Sequence, residues 1–374
     1  MSVVNTVSNT FSSSVADANE HFAKACEHSG AVVEQFNHPL SDPQGRPLQT
    51  SVAWLGPKEA EHVLMIVSGT HGAEGWAGSA IQIDALEQGV FQSLPADTAL
   101  MMIHLINPWG CAWGRRENED NADLFRDFIY YKPELRSDDI LFDDALAEAL
   151  TLTCYTDEAR SQSETKIEQV ISAIGERSFT EITRAGQFRY PQTPCYNGGG
   201  ISWSYRLYRD LVSQYLNKAR RVFCLDLHTA FGDYGDGILI PYYAVGGPDQ
   251  PKLDALASYY GKDRCHIAGF DSRIPSHPRL PYEIAMDFIP GLEMLSTVLE
   301  FGTYDWVDGV NLIKYMNYLF TEGDPLNPEC PDLVDQYNKL CYPDKDDWRD
   351  MVIARSREVI QQTLAGIESW SNNP

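Results

Sequence analysis

Four short stretches carry side chains able to act on a substrate. The first is Ser68-Gly69-Thr70-His71-Gly72-Ala73-Glu74-Gly75, which follows an apolar run and leads into a helical pattern. A glycine-lined turn can aim an imidazole and a carboxylate at one point, and both suit Zn²⁺ at ~2.0 to 2.2 Å. The plainer reading is a helix N-terminal turn in which Glu74 is favoured by the helix dipole. The second stretch is Cys224-Leu225-Asp226-Leu227-His228-Thr229. His228 leaves its apolar run at the same kind of position as His71. A catalytic zinc takes three protein ligands and keeps one position open for water, and His71, Glu74 and His228 supply that set. Asp226 shares a strand face with His228, as an acid that orients the imidazole or as a structural carboxylate.

The third stretch runs from Asn107-Pro108-Trp109-Gly110 through Arg115-Arg116-Glu117-Asn118 to Asp123-Leu124-Phe125-Arg126-Asp127-Phe128. Arginine offers a planar fork of donors that matches carboxylates and oxyanions. The alternative is a solvated loop of mixed charge, which is the expectation for Arg115. The fourth is Ser296-Thr297-Val298-Leu299-Glu300-Phe301-Gly302-Thr303. A carboxylate inside an apolar strand is costly without a partner. Glu300 is therefore either half of a buried ion pair or, beside a metal, a base that takes a proton from water. It is a better candidate than Glu293, whose surroundings are more polar.

These stretches need elements to hold them. Continuous apolar runs at 62–68, 99–106, 221–227, 237–243 and 294–301, with a strand at 48–55, predict strands buried on both faces. Helical patterns at 13–29, 76–87, 202–218, 251–260, 310–320 and 348–369 alternate with them. The expectation is an α/β fold: a mixed, mostly parallel central sheet with helices on both faces. Ligands of such sheets sit beyond the carboxyl ends of the strands. The chain reads as one catalytic domain over 1–374. Residues 130–200 break the rhythm, with helical spacing at 143–152 and 164–173 and a loop at 187–200. They form a helical insertion, suited to a lid or to a contact between copies in a homo-oligomer.

The chain has 374 residues, with 53 Asp plus Glu against 29 Lys plus Arg, for a formal charge of −24. That excess disfavours a nucleic-acid backbone or an anionic membrane as partner, although a basic pocket fits inside an acidic shell. No run approaches the ~18 apolar residues of a bilayer span. Met1 to Ala16 carries no Lys or Arg and no apolar block like a secretory leader, so the expected location is cytoplasmic. The eight cysteines are dispersed with no CxxC pair and are expected as free, often buried thiols. No phosphate-binding Gly-x-x-x-x-Gly-Lys-Ser/Thr loop and no Gly-x-Ser-x-Gly elbow occurs. Gly198-Gly199-Gly200 ahead of a helix is read as a flexible loop rather than an anion cradle. His104 is expected in the core, and His21, His28, His38 and His62 exposed or capping. Cys265 and His266 diverge if extended and form no metal pair.

Together these motifs resemble the zinc carboxypeptidase (M14-like) superfamily, and within it the bacterial carboxypeptidase-like proteins grouped as DUF2817. His-x-x-Glu, Asn-Pro-x-Gly, Arg-x-Asn, Asp-Leu-x-Arg-x-Phe, Asp-x-His and a late strand Glu occur in the family's order between about residues 48 and 320. The resemblance implies one zinc on His71, Glu74 and His228, a site that Mn²⁺, Ni²⁺ or Co²⁺ also suits. It implies Glu300 as general base and later proton donor, Arg116 of Arg-x-Asn on the oxyanion, Arg126 on a substrate carboxylate, and Asn118 as a further substrate-binding residue. It also implies a substrate-side tyrosine, for which Tyr282 has about the right spacing before Glu300. One position departs: where the family has Asn in Asp-Leu-Asn-Arg, this chain has Phe125, which offers no hydrogen bond to that carboxylate. The implied substrate is thus a small peptide with a free carboxylate or, as in the related desuccinylase and aspartoacylase branch, an N-acyl amino acid. A non-catalytic binding protein on the same fold is the reading of another class.

Overall fold

The structure, a computed structural model, describes residues 10–128, 142–243, 245–265, 280–304, 309–326 and 330–371. Seven strands form one sheet: β1 (Val32–Ser41), β2 (Pro47–Leu55), β3 (His62–Ser68), β4 (Thr98–His104), β5 (Arg221–Tyr234), β6 (Gly237–Ile240) and β7 (Glu293–Gly302). Their order is β1-β2-β4-β3-β5-β7-β6. The central pairings β4–β3, β3–β5 and β5–β7 are parallel, and the antiparallel ones lie towards the edges. Only β2 and β6 therefore run against the other strands, which is the mixed, mostly parallel α/β sheet expected.

The apolar runs are continuous because both faces are covered. Leu64 and Ile66 of β3 face one layer with Leu100, Met102, Phe223 and Leu225. Against them pack α1 (Val15–Ser29), α2 (Gly75–Glu87) and, later in the chain, the helices over 250–260 and 346–371. Val63, Met65 and Val67 face the other way, towards the helix over 203–215. After α2 come the short α3 (Pro108–Trp113) and α4 (Leu124–Asp127). The region expected as an insertion holds α5 (Asp144–Leu150), α6 (Asp157–Ile174) and α7 (Glu176–Ala185). Phe142, Leu146, Leu150, Ile167, Phe179 and Ile182 give these helices an apolar cluster of their own. Residues 130–141 of that region lie outside the described residues, as does His266.

Several elements lie outside the sequence reading: β1, the short α3 and α4, α7, and the helices over 285–288 and 333–341. All eight cysteines are free, and four of them are buried. No helix among the described residues is long and apolar enough to cross a membrane.

His104 is fully buried as expected. It stacks on Phe22 at 4.3 Å, and its ring nitrogens lie 2.8 Å from Ser79 Oγ and 3.2 Å from Asn19 Oδ1. Burial pushes its pKa down to about 3. The unfolded chain takes up a proton near pH 6.5 that the folded protein refuses, so this contribution to stability is complete above about 6.5 and is lost as pH falls towards 3. The thermal midpoint of wild type should therefore fall more steeply between pH 6.5 and 4.5 than that of His104→Gln. Parallel pH profiles in scanning calorimetry would contradict it.

Candidate metal centre

The candidate ligands and base sit at the carboxyl ends of parallel strands. β3 ends at Ser68, and Gly69 turns the chain at φ +74° into the loop that carries His71 and Glu74. Gly72 is required there, since a Cβ would stand 2.0 Å from the Gly110 carbonyl carbon. The N–H groups of Gly72 and Ala73 donate to the carbonyls of Arg116 and Arg115 at 3.2 and 2.9 Å, strapping this loop to the arginine loop. β5 delivers His228, and β7 places Glu300 directly beside it in the parallel register.

The three groups converge. His71 Nδ1 lies 2.9 Å from Glu74 Oε1 and His228 Nδ1 lies 3.0 Å from Glu74 Oε2. One donor atom from each of the three falls within 4.8 Å of the others, close to twice a zinc–ligand bond of ~2.0 to 2.2 Å. All three are buried. The outer nitrogens are held too: His71 Nε2 is 3.1 Å from Asp123 Oδ1, and His228 Nε2 is 2.9 Å from Asp226 Oδ2. Two imidazoles facing inward, each backed by a carboxylate, are a donor set that fits a divalent transition metal.

Electrostatics follow from that packing. Burial, then Arg116, pushes His71 down to about 4, leaving its ring neutral with a lone pair to give. Burial opposes ionisation of Glu74, yet His71 and His228 hold its carboxyl below the usual range. Burial also opposes a charged His228, but Asp226 and Glu74 raise it well above the ordinary imidazole value. Glu300 accepts the Phe231 N–H at 3.0 Å and is pushed up to about 7 by burial and by the neighbouring Glu74 charge. The backbone that presents Phe231 turns at Ala230, whose φ of +111° is strained for a non-glycine residue.

The arginine loop surrounds Asp123. Arg116 Nη1 donates to its carboxylate at 2.5 Å, and Arg126 pairs with the same oxygen. Asp123 also caps α4 through the Phe125 N–H at 3.0 Å. One carboxylate thus orients His71, Arg116 and Arg126, a role the sequence reading missed although the motif Asp-Leu-x-Arg contained it. Asn118 is fully buried, and its Oδ1 accepts the N–H groups of Asp120 and Ala122 at 3.0 and 2.9 Å. It shapes the turn between the two arginines.

Tyr282 is placed differently from the expectation of a substrate-side tyrosine. It has no exposed surface, packs on Tyr208 at 5.0 Å, and its hydroxyl lies 2.6 Å from Thr70 Oγ1. Thr70 in turn donates to Asp226 at 2.7 Å. Tyr282 therefore supports the carboxylate behind His228. The tyrosine bordering the site is Tyr242, just past β6, with its ring 5.3 Å from Phe125. Phe125 itself stands 6.1 Å from the His71 ring and 5.4 Å from His228.

Arg115 is not solvated as expected. It is 2% exposed, with Nε 3.1 Å from Glu117 and its guanidinium 4.8 Å over Phe320, which together compensate the buried charge. His38 is likewise buried rather than exposed, because Glu119 lies 3.3 Å from its Nε2 and the Leu40 N–H donates to Nδ1. Glu293 is exposed and paired with Arg221.

Residues 11–355 match the family described as protein of unknown function (DUF2817). No curated protein matches the chain. Among solved structures, bovine thrombin-activatable fibrinolysis inhibitor in complex with tick carboxypeptidase inhibitor is 11% identical over 96% of this chain and 97% of that one, with a TM-score of 0.48. Carboxypeptidase A from Helicoverpa armigera is 14% identical over 92% and 73%, with a TM-score of 0.43. A metallo-carboxypeptidase from Burkholderia cenocepacia is 10% identical over 94% and 68%, with a TM-score of 0.42.

Proposed function

The chain belongs to the DUF2817 family, and from its buried His71–Glu74–His228 cluster we propose that it is a metal-dependent hydrolase of an amide or peptide bond next to a free carboxylate. The observation that carries this is the convergence of three donors from two strand ends, with a fourth group, Glu300, in register beside one of them. His71, Glu74 and His228 would hold one divalent ion, Zn²⁺ being the natural choice for this donor set. Bound there, the ion would polarise the scissile carbonyl and acidify water.

The chain's own residues do the rest. Glu300, uncharged near pH 7 only about half the time, takes a proton from water and returns it to the leaving amine. Arg116, part-exposed and steadied by Asp123, donates to the oxyanion, a contribution of roughly 3 to 4 kcal/mol for one well-aimed donor. Arg126 pairs with the substrate's carboxylate. Arg126→Ala should raise KM for such substrates by about 10- to 100-fold, the value of a charged hydrogen bond, with a smaller change in kcat. An unchanged KM would remove Arg126 from substrate binding.

A second reading, hydrolysis of N-acyl amino acids, is supported by Phe125. Its ring faces the two histidines and adds no donor beside Arg126. The deciding experiment loads the purified protein with Zn²⁺, measures stoichiometry, and follows chelator-sensitive hydrolysis of dipeptides against N-acyl amino acids. One metal per chain with hydrolysis of either class supports the proposal, and the preferred class selects between the readings. Failure to bind metal would return the chain to a binding protein on a hydrolase-like fold. The substrate in either case is small, and eight free thiols suit a reducing compartment such as the cytoplasm.

A further inference from the structure

The insertion contributes a residue to this site. Arg184, near the end of α7, lays its guanidinium carbon 4.7 Å over the ring of Phe231. The Phe231 N–H is the group that donates to Glu300. Phe231 is 46% exposed, so this stack lies at the rim of the candidate centre rather than in the core. Arg184 is exposed as well.

Arg184 is set apart from its neighbours in this region by what holds it. The chain has 53 carboxylate residues for 29 cationic ones, so a surface arginine is expected to meet an acid. The other arginines of α6, α7 and the following loop follow that pattern. Arg160 pairs with Asp157, Arg177 with Glu181 at 2.9 Å, and Arg189 with Asp144 at 3.4 Å. Arg184 forms no ion pair among the described residues; it stacks on an aromatic ring. An aromatic face holds a guanidinium in place without neutralising it, which leaves the fork of donors for something else.

The local charge is consistent with an anionic occupant. Arg116 and Arg126 share one carboxylate, Asp123, which also faces His71. Arg184 adds a third guanidinium, on the Phe231 side of Glu300. Burial, and then the like charges of Arg116 and Arg184, push Arg126 down to about 9. The phenol of Tyr242 lies within the influence of the same three arginines and of Glu300. Arg184 thus reaches the candidate centre through Phe231, whose backbone holds Glu300.

We propose that Arg184 is a specificity residue that reads a second negative charge, so that the site takes a ligand bearing two carboxylates, one for Arg126 and one for Arg184. This rests on the hydrolase reading for its meaning: the carboxylate-bearing half of the scissile amide would be of the aspartate or glutamate class. The insertion would then be what sets the substrate, since it alone delivers Arg184.

The test is direct binding, so that it does not depend on turnover. Metal-free full-length protein is titrated by calorimetry with succinate, glutarate and adipate, and with monocarboxylates of matching length. At least one diacid should bind about tenfold or more tightly than its monoacid, the worth of one charged hydrogen bond. Arg184→Ala should abolish that preference and Arg184→Glu should reverse it. Arg177→Ala, on the same helix but already paired, should retain it and so reports on the integrity of α7. No diacid preference in wild type, or a preference that survives Arg184→Ala, overturns the proposal. Diacid preference in a protein that binds no metal would sink the hydrolase reading and leave the binding site standing. Metal-dependent hydrolysis without diacid preference would do the reverse.

Discussion

Glu300→Gln should lower kcat by about 100- to 10,000-fold, the usual contribution of a positioned general base, while a full equivalent of metal stays bound. The substitution keeps the shape of the side chain and an oxygen to accept the Phe231 N–H, so the local backbone has no reason to move. It removes only the ability to carry a proton. The environment suits that job: burial and the Glu74 charge push the carboxyl up to about 7, where it can both accept and release a proton in neutral solution. The active form is the ionised one, so kcat/KM of wild type should fall as pH drops through about 7. A bound cation favours the ionised form and would move that limb to lower pH. Near-normal turnover in the glutamine variant would assign the base elsewhere, and Glu300 would then be a structural acid.

His71→Ala should lose metal and activity together. Replacing a carboxylate that merely orients a ligand imidazole costs ~10- to 100-fold in metal affinity, so removing the imidazole itself should cost more than that. Here the loss has further consequences. Glu74 would keep only His228 and the Thr229 N–H as partners, and Asp123 would lose the imidazole at 3.1 Å. Equilibrium dialysis against Zn²⁺ measures the effect. Stoichiometric binding with wild-type affinity would take His71 out of the centre. Circular dichroism of both proteins separates metal loss from unfolding, because the imidazole lies at a strand end and outside the apolar layers.

The parts of the fold that were legible are those in which burial acts on the whole element. β3, β4, β5 and β7 are covered on both faces, so their apolar runs are continuous and announce themselves. β1 escaped because it is an edge strand with mostly part-exposed or exposed residues, and its Val-Val-Glu-Gln-Phe-Asn segment carries no strong period. α7 escaped because only Phe179 and Ile182 of its ten residues are buried. The site was legible where chemistry and strand ends coincide, at His71, Glu74, His228 and Glu300, which the fold brings together. What stayed hidden depends on partners distant in sequence. Arg115 is buried because Phe320, some two hundred positions later, supplies a ring for it. Spacing before Glu300 singled out Tyr282, yet spacing holds no information on which side of a wall a ring stands, and it is Tyr242 that packs on Phe125 beside the two histidines. Arg184 was not singled out, because the ring it stacks on, Phe231, comes from another part of the chain.

The side-by-side alignment of His228 on β5 with Glu300 on β7 has a consequence for how the protein can be assayed. Displacing one strand by a single residue along its neighbour turns its side chains to the opposite face. Such a slipped molecule could remain compact and helix-rich while Glu300 and His228 looked in opposite directions. Recovered turnover after denaturation would then count only correctly threaded molecules, whereas spectroscopic recovery would count all collapsed ones. The gap between those two yields would measure mispairing at the middle of the sheet.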